Sequence, residues 1–123
     1  MHKCKFFCFC ILFMLFIINC GGEQELSIKL TNETAGVIDT VTVSVASDKQ
    51  QAVSAYNLSS FDSTILKITP EVEGDGELFL SISQDTVKST TGFGYYTNGS
   101  FSDSYFSIII KSSDTGIVFL REL

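Results

Sequence analysis

The sequence predicts an all-β fold, an antiparallel β-sandwich of roughly seven or eight short strands, and three observations support it. Apolar and polar residues alternate with a period of two in several segments, which is the period of a half-buried strand. Turn-forming residues recur at roughly 8–12-residue spacing, and no segment behind the N-terminus shows a convincing helical period. The pattern alone leaves an immunoglobulin-like order of strands, a jelly roll and a small barrel as alternatives.

The N-terminus has the composition of an export signal. Lys3 and Lys5 precede an unbroken apolar run over residues 6–18. A helix of this length would be only about 20 Å long, shorter than the roughly 30 Å hydrocarbon core of a bilayer. We therefore expect residues 1–19 to be a helical signal peptide that is removed, and a membrane-spanning helix is the less favoured alternative.

The junction after the apolar run carries a recognisable motif. The run Ile17-Ile18-Asn19-Cys20-Gly21-Gly22 resembles the lipobox of bacterial lipoproteins, in which aliphatic residues and one small residue precede an obligatory cysteine. Asn19 stands where the commonest pattern has Gly, Ala or Ser. The resemblance implies that Cys20 receives a diacylglyceryl group and becomes the first residue of the mature chain. Alternatively, Cys20 is only the last cysteine of the leader.

The location implied by this resemblance is the bacterial cell envelope. The chain would be lipid-anchored, in the outer membrane on its periplasmic or surface face. Residues 20–25 would be the lipidated cysteine and a flexible tether, and residues 26–123 the β-sandwich domain.

Removal of the leader would take away the residues most often used in metal sites and in nucleophilic catalysis. All four cysteines lie at or before Cys20, and the only histidine is His2. Zinc and copper sites built on imidazole or thiolate are therefore excluded from the mature chain, as are Ser-His-Asp and Cys-His catalysis. We expect a protein that is not an enzyme and has no cofactor, although paired carboxylates or a Ser-Lys pair are still available.

The charge of the chain limits its partners. The formal net charge is −6, and loss of Lys3 and Lys5 with the leader makes it −8. Nucleic acids require clustered Lys and Arg, so a nucleic-acid partner is not expected. The expected partners are the membrane, through the lipid anchor, and an envelope protein or a glycan.

Behind the tether, alternating segments separated by turn residues define the strands. The predicted strands cover residues 26–31, 37–46, 52–58, 63–69, 78–83, 87–94, 105–111 and 117–122. The polar residues 47–51 and the acidic residues 71–76 are predicted to be loops. The pair Asn98-Gly99 favours a type I′ hairpin turn, because both residues tolerate positive φ angles.

A second resemblance concerns the domain itself. The length, the strand rhythm and the run Phe93-Gly94-Tyr95-Tyr96-Thr97-Asn98-Gly99 resemble small bacterial lipoproteins with immunoglobulin-like domains. This resemblance implies an immunoglobulin-like β-sandwich of uncharacterised function, and no activity.

Aromatic residues around the Asn-Gly turn form the first candidate site. Rings that are exposed on a hairpin could stack on a sugar, so the candidate ligand-binding residues are Tyr95, Tyr96, Phe101 and Tyr105. The alternative is that these residues, with Phe93 and Phe106, are cross-strand packing pairs.

Two further candidates are weaker. Alternate carboxylates at Glu73, Asp75 and Glu77 could supply oxygen ligands to calcium, although a solvated acidic turn is the simpler interpretation. The apolar residues 108–110 and 117–120 fall on both faces of the C-terminal strands, so they need cover from loops or from a partner protein.

Together these features predict a lipid-anchored, non-catalytic interaction or structural module of the cell envelope. The alternative function is a lipoprotein that binds a glycan through the aromatic hairpin over residues 93–106.

Overall fold

Two β-sheets stacked face to face make up the described part of the chain. The computed structural model describes residues 24–45, 48–113 and 116–122. These residues form nine strands: β1 (Leu26–Asn32), β2 (Ile38–Val45), β3 (Asp48–Leu58), β4 (Ser63–Ile68), β5 (Gly76–Gln84), β6 (Val87–Thr97), β7 (Ser100–Phe101), β8 (Tyr105–Ser113) and β9 (Gly116–Glu122). One sheet has the strand order β4-β1-β8-β9, and the other has the order β3-β2-β5-β6-β7.

The prediction of an all-β sandwich is confirmed at the level of two packed sheets, but the pairing is not wholly antiparallel. Strand β1 pairs with β8 in parallel, for example Ile28 with Phe106. Strands β2 to β6 lie between them in the chain and alternate in direction, and the two-residue β7 follows. Strand β8 therefore starts at the same end of the sandwich as β1 and runs in the same direction. The ninth strand, β7, is the short second arm of the hairpin predicted at Asn98-Gly99. It was not counted among the predicted strands, and its two residues pair with the end of β6.

One predicted loop is largely a strand. Residues 47–51 were expected to be a loop, yet β3 begins at Asp48, and Val45 pairs with Asp48 before an irregularity in register. Strand β3 lies at the edge of its sheet, where backbone pairing with β2 does not require apolar side chains. A polar segment can therefore continue the ladder there.

The core follows the predicted alternation. Strand β1 buries every second residue, as do most of β2 and β5, while the residues between them face outward. The fully buried side chains between the sheets include Leu26, Ile28, Leu30, Ile38, Val41, Val43, Leu78, Leu80 and Ile110. Each such side chain stabilises the fold by about 1.5–3 kcal/mol relative to an exposed position.

The sandwich has two distinguishable ends. The tether end is defined by residues 24–25, the loop 69–75 and the turn 98–99, and the far end by the loops 33–37 and 59–62 and the turn 85–86. Hydrogen bonds join the two sheets at both ends: the Phe101 N–H donates to the Gln24 side chain at the tether end, at 3.1 Å, and the Asn32 side chain donates to the Leu58 carbonyl at the far end, at 2.9 Å.

A buried polar cluster organises the far end. The Asn32 side chain is fully buried, and its Nδ2 donates to the carbonyls of Gly36 and Leu58, each at 2.9 Å. Its Oδ1 accepts from the backbone N–H and the hydroxyl of Thr34, at 2.9 and 2.7 Å. Thr34 in turn accepts a hydrogen bond from the Gln84 amide at 2.9 Å. The Asn32 amide therefore connects β1 directly to the end of β3, and through Thr34 it is linked to Gln84 at the end of β5.

We predict that Asn32→Ala destabilises the fold by about 2–4 kcal/mol, because it removes the four hydrogen bonds of a buried side chain, including those with the Leu58 carbonyl and the Thr34 N–H. Urea unfolding measures this loss. Ser27→Ala, an outward position of the same strand, is the control and should change stability by less than about 0.5 kcal/mol. Equal unfolding midpoints for the two variants would contradict the role given to Asn32.

Candidate functional site

A β-bulge in β6 shapes the main hollow of the described residues. Leu78 pairs with Gly94 and Phe79 pairs with Gly92, so Phe93 is an extra residue without a partner on β5. Bulges bend a strand and redirect its side chains. The Phe93 ring meets the ring of Phe106 on the opposite sheet edge to face, with centroids 5.3 Å apart and planes at 89°.

The glycines on either side of the bulge leave the space open. A Cβ at Gly94 would come within 3.0 Å of the Phe106 ring, and a Cβ at Gly92 would overlap the carboxylate of Glu77. Glycine within a strand often marks a close approach of another group. Here the absence of side chains at both positions exposes the flank of Phe93.

The result is a cleft of about 370 Å³, a volume typical of small-molecule sites. Its lining is Glu77, Thr91, Gly92, Phe93, Gly94, Tyr95 and Ile108. A second, smaller hollow of about 90 Å³ lies beside it and is lined by Gly94, Tyr95, Ser102, Asp103 and Phe106. Tyr95 borders both hollows, and each hollow contains one carboxylate.

Hydrogen bonds from neighbouring segments hold the hairpin beside the cleft. The carboxylate of Asp75 accepts a hydrogen bond from the Asn98 N–H at 2.8 Å. Gln24 donates to the Phe101 carbonyl at 3.3 Å and accepts from the Phe101 N–H at 3.1 Å. The hairpin turn, with positive φ at Asn98 and Gly99 as predicted, is thus fixed to both the acidic loop and the end of the tether.

The structure divides the predicted aromatic set into two pairs. Tyr95 and Tyr105 are 66% and 53% exposed, whereas Tyr96 and Phe101 are only 3% and 7% exposed. The rings of Tyr96 and Phe101 contact each other in the core, with centroids 5.5 Å apart. Tyr96 and Phe101 therefore cannot offer a ring to a ligand at the surface, because successive residues of β6 point to opposite faces of the sheet.

The three predicted calcium ligands are not gathered into a site. Asp75 is engaged with the hairpin turn, and the carboxylate of Glu77 lies over Gly92. Glu73 is exposed in the loop between β4 and β5. In the part of the chain that the structure describes, no group of three or more His, Cys, Asp or Glu side chains could hold a metal ion.

The apolar C-terminal strands are largely accounted for on β8. Phe106, Ile108 and Ile110 are buried, and only Ile109 lies on the outer face, where it is half-buried. The side chains of residues 117–120 lie outside the part of the chain that the structure describes.

The predicted signal peptide and Cys20 also lie outside the described residues. Among the residues that are described, there is no helix long and apolar enough to cross a membrane.

Sequence reasoning missed one prominent surface residue. Phe61, in the loop between β3 and β4, is 77% exposed and has a φ of 62°. A bulky residue in this left-handed region is uncommon and strained. Its N–H donates to the Asn32 carbonyl at 2.7 Å, and Ser60 donates to the Thr34 carbonyl, so the loop is held against the buried polar cluster. The only sequence signal was a lone aromatic in a polar turn.

Comparison with known proteins adds information about the fold. No family model matches the chain, and no curated protein matches it significantly. Among solved structures, the chain is similar to a protein from Eubacterium rectale whose structure was determined by NMR. The TM-score is 0.57 at 16% identity, and the match covers 83% of this chain and 92% of that chain. The similarity extends over nearly the whole of that protein and concerns the fold alone.

We predict that Gly99→Ala destabilises the domain more than Gly74→Ala. Both glycines have positive φ angles, 71° and 66°, so each alanine costs roughly 1–2 kcal/mol of backbone strain. A Cβ at Gly99 would also lie 2.8 Å from the Val72 carbonyl oxygen, whereas a Cβ at Gly74 has nothing within 4 Å. Urea unfolding measures the loss of stability in each variant, and the difference between the two losses reports the contact between the hairpin turn and the loop 69–75. Equal losses would show that this contact adds nothing to stability.

Proposed function

We propose that this chain is a lipoprotein of the bacterial cell envelope, attached to the outer membrane through Cys20, whose β-sandwich is a non-catalytic binding module. The observation that carries the proposal is the junction of the apolar run with Cys20-Gly21-Gly22, a short distance before the first strand. One acyl chain gives only marginal membrane binding, and two or three chains would make the attachment lasting.

The short tether would hold one end of the sandwich close to the bilayer. Strand β1 begins at Leu26, and the Gln24 side chain is already bonded to Phe101. The chain from Cys20 to Gln24 spans at most about 14 Å when fully extended. Glu25 forms an exposed ion pair with Lys67 at 3.1 Å, which further restricts the tether to the β4 side. The tether end would thus face the membrane, and the far end would be outermost.

The far end supports a protein partner. Phe61 is held out on a loop that hydrogen-bonds to the buried Asn32 and Thr34 segment. Aromatic residues are enriched at protein–protein interfaces, and a loop whose backbone is already held in place loses little freedom on binding. An interaction module in which Phe61 is the principal contact is therefore the function that the described surface supports best.

The immunoglobulin-like assignment is part of the same proposal. Its support is the arrangement of nine strands in sheets of four and five, at a domain length of about 100 residues. Fold does not imply function, so the assignment adds no activity.

The second candidate function is glycan binding at the cleft. Tyr95 offers an exposed ring between two hollows, while Glu77 and Thr91 offer polar groups beside it. Aromatic stacking combined with a few convergent polar groups is suited to a sugar ring. The carboxylates on both sides of Tyr95 favour a neutral or basic sugar over a sugar acid, because like charges repel at short range.

We predict that Cys20→Ser abolishes incorporation of labelled palmitate, because a serine at this position has no thiol to receive the lipid. Metabolic labelling in a host that processes lipoproteins measures this effect. Cys10→Ser, which alters the apolar run alone, is the matched control and should keep the label. A wild-type chain without palmitate would refute lipid anchoring.

For the cleft, we predict that Tyr95→Ala weakens binding of a neutral oligosaccharide by roughly three- to tenfold, the loss expected for one stacking contact. Titration of a panel of neutral and acidic oligosaccharides, followed by NMR shifts of cleft residues, supplies the measurement. Tyr56→Ala removes an equally exposed ring, 69% exposed, from the opposite edge of the same sheet and should have no effect. Identical affinities of the two variants would eliminate glycan binding at Tyr95.

A further inference from the structure

The outer edge of β3 is unusual among the sheet edges of the described residues. Strand β3 is 11 residues long and pairs only with β2. Among the described residues, residues 52–57 have no backbone hydrogen bond to any strand other than β2. Such a row of free N–H and C=O groups is a template for pairing with another strand.

The other edges carry features that discourage pairing. Strand β4 has six residues and includes Lys67, which pairs with Glu25. The edge of β6 contains Lys88 and the bulge at Phe93, and β7 covers its end. Strand β9 includes Arg121 and Glu122. Charges, bulges and short length are the usual protections of an edge strand. In β3 the charged residues Asp48 and Lys49 and the register irregularity lie at the start of the strand, and Asn57 with its positive φ lies near the end. The part between them, residues 51–56, has no charge, no proline and no bulge.

The side chains of β3 also lack cover. The inward residues Val53 and Ala55 pack against the core yet are only partly buried, whereas Val41 and Val43 on the neighbouring strand are fully buried. On the outer face, Tyr56 is 69% exposed. One further strand beside β3 would complete the cover of Val53 and Ala55 and give the Tyr56 ring a neighbour.

We infer that a second copy of this chain pairs with β3, edge to edge and antiparallel, about a two-fold axis at Ser54. This register places Tyr56 opposite the small Ala52 of the second copy and Val53 opposite its Ala55. The extended ladder runs from Ala52 to Tyr56, because Asn57 has a φ of 54° and leaves the extended conformation. No charged residue of one copy faces a charged residue of the other within it. The two five-stranded sheets become one continuous sheet across the axis.

The charge of the chain limits where a second copy can dock. With a net charge of −6, or −8 without the leader, two copies repel each other over most of their surfaces. The segment 51–58 carries no charge, so two copies can approach along it without placing like charges together. Its sequence is also self-complementary in size, which an isologous interface requires.

The test is disulfide cross-linking of the purified full chain in detergent with the variant Ser54→Cys. At a two-fold axis, the two Cα atoms of an antiparallel pair lie about 4.5–5.5 Å apart, within the range that a disulfide bridges. We expect a covalent dimer on mild oxidation, with mass spectrometry locating the bond between the two introduced cysteines. The parent chain gives the background from the cysteines at positions 4, 8, 10 and 20.

Ser81→Cys is the matched control. Ser81 also lies on the outer face of the same sheet, and it too hydrogen-bonds to a hydroxyl on a neighbouring strand, as Ser54 does with Thr42. It belongs to the central strand β5, where it cannot meet its copy. The control should cross-link no more than the parent chain does.

A second measurement avoids the introduced thiol. Ser54→Lys places two like charges opposite each other at the axis and should lower the dimer association constant in sedimentation by about two- to fivefold, with unchanged thermal unfolding of the monomer. A chain that is monomeric at every concentration, or equal cross-linking at positions 54 and 81, would overturn the inference and leave a foreign strand as the occupant of this edge.

Discussion

The burial of alternate side chains between two facing sheets is the interaction on which the rest of this molecule depends. The domain beyond Cys20 has no cysteine, so no disulfide can hold the sheets together. Rows of Leu, Ile and Val from β1, β2, β5 and β8 meet instead in one core. Packing at interior density keeps the inner faces rigid, and the hydrogen-bonded ladders then fix where each loop emerges.

The features of functional interest are departures from this regular packing. The bulge at Phe93 redirects a ring into the core, and the glycines beside it leave a cleft where other positions have side chains. At the far end, Asn32 ends the otherwise apolar inward row of β1 and uses its full hydrogen-bonding capacity to hold the chain around it. The exposed Phe61 depends on that cluster for its position. The proposed contacts with a glycan and with a protein thus lie at opposite ends of the sandwich, and the inferred pairing uses a third surface along its side.

The structure differs from the predictions where distant segments decide the outcome. The Asn98-Gly99 turn was predictable because its positive φ angles are a local preference of those two residues. The exposure of Tyr95 and the burial of Tyr96 were not predictable, since two adjacent tyrosines give no indication of which one faces the core. The bulge, which changes the facing of residues along β6, depends on the register with β5. The polar start of β3 likewise became a strand only because β2 lies beside it.

By itself, the sequence determined the all-β class, most strand positions, the acidic surface and the absence of His and Cys from the chain beyond Cys20. These properties follow from composition and from a period of two, which a single strand displays without knowledge of its neighbours. Only the tertiary structure decided the parallel pairing of β1 with β8, the burial of Tyr96 and Phe101, the cleft beside Phe93 and the open edge of β3. Each of these depends on which strands become neighbours, and strand order is set by the joint packing of both sheets rather than by any one segment.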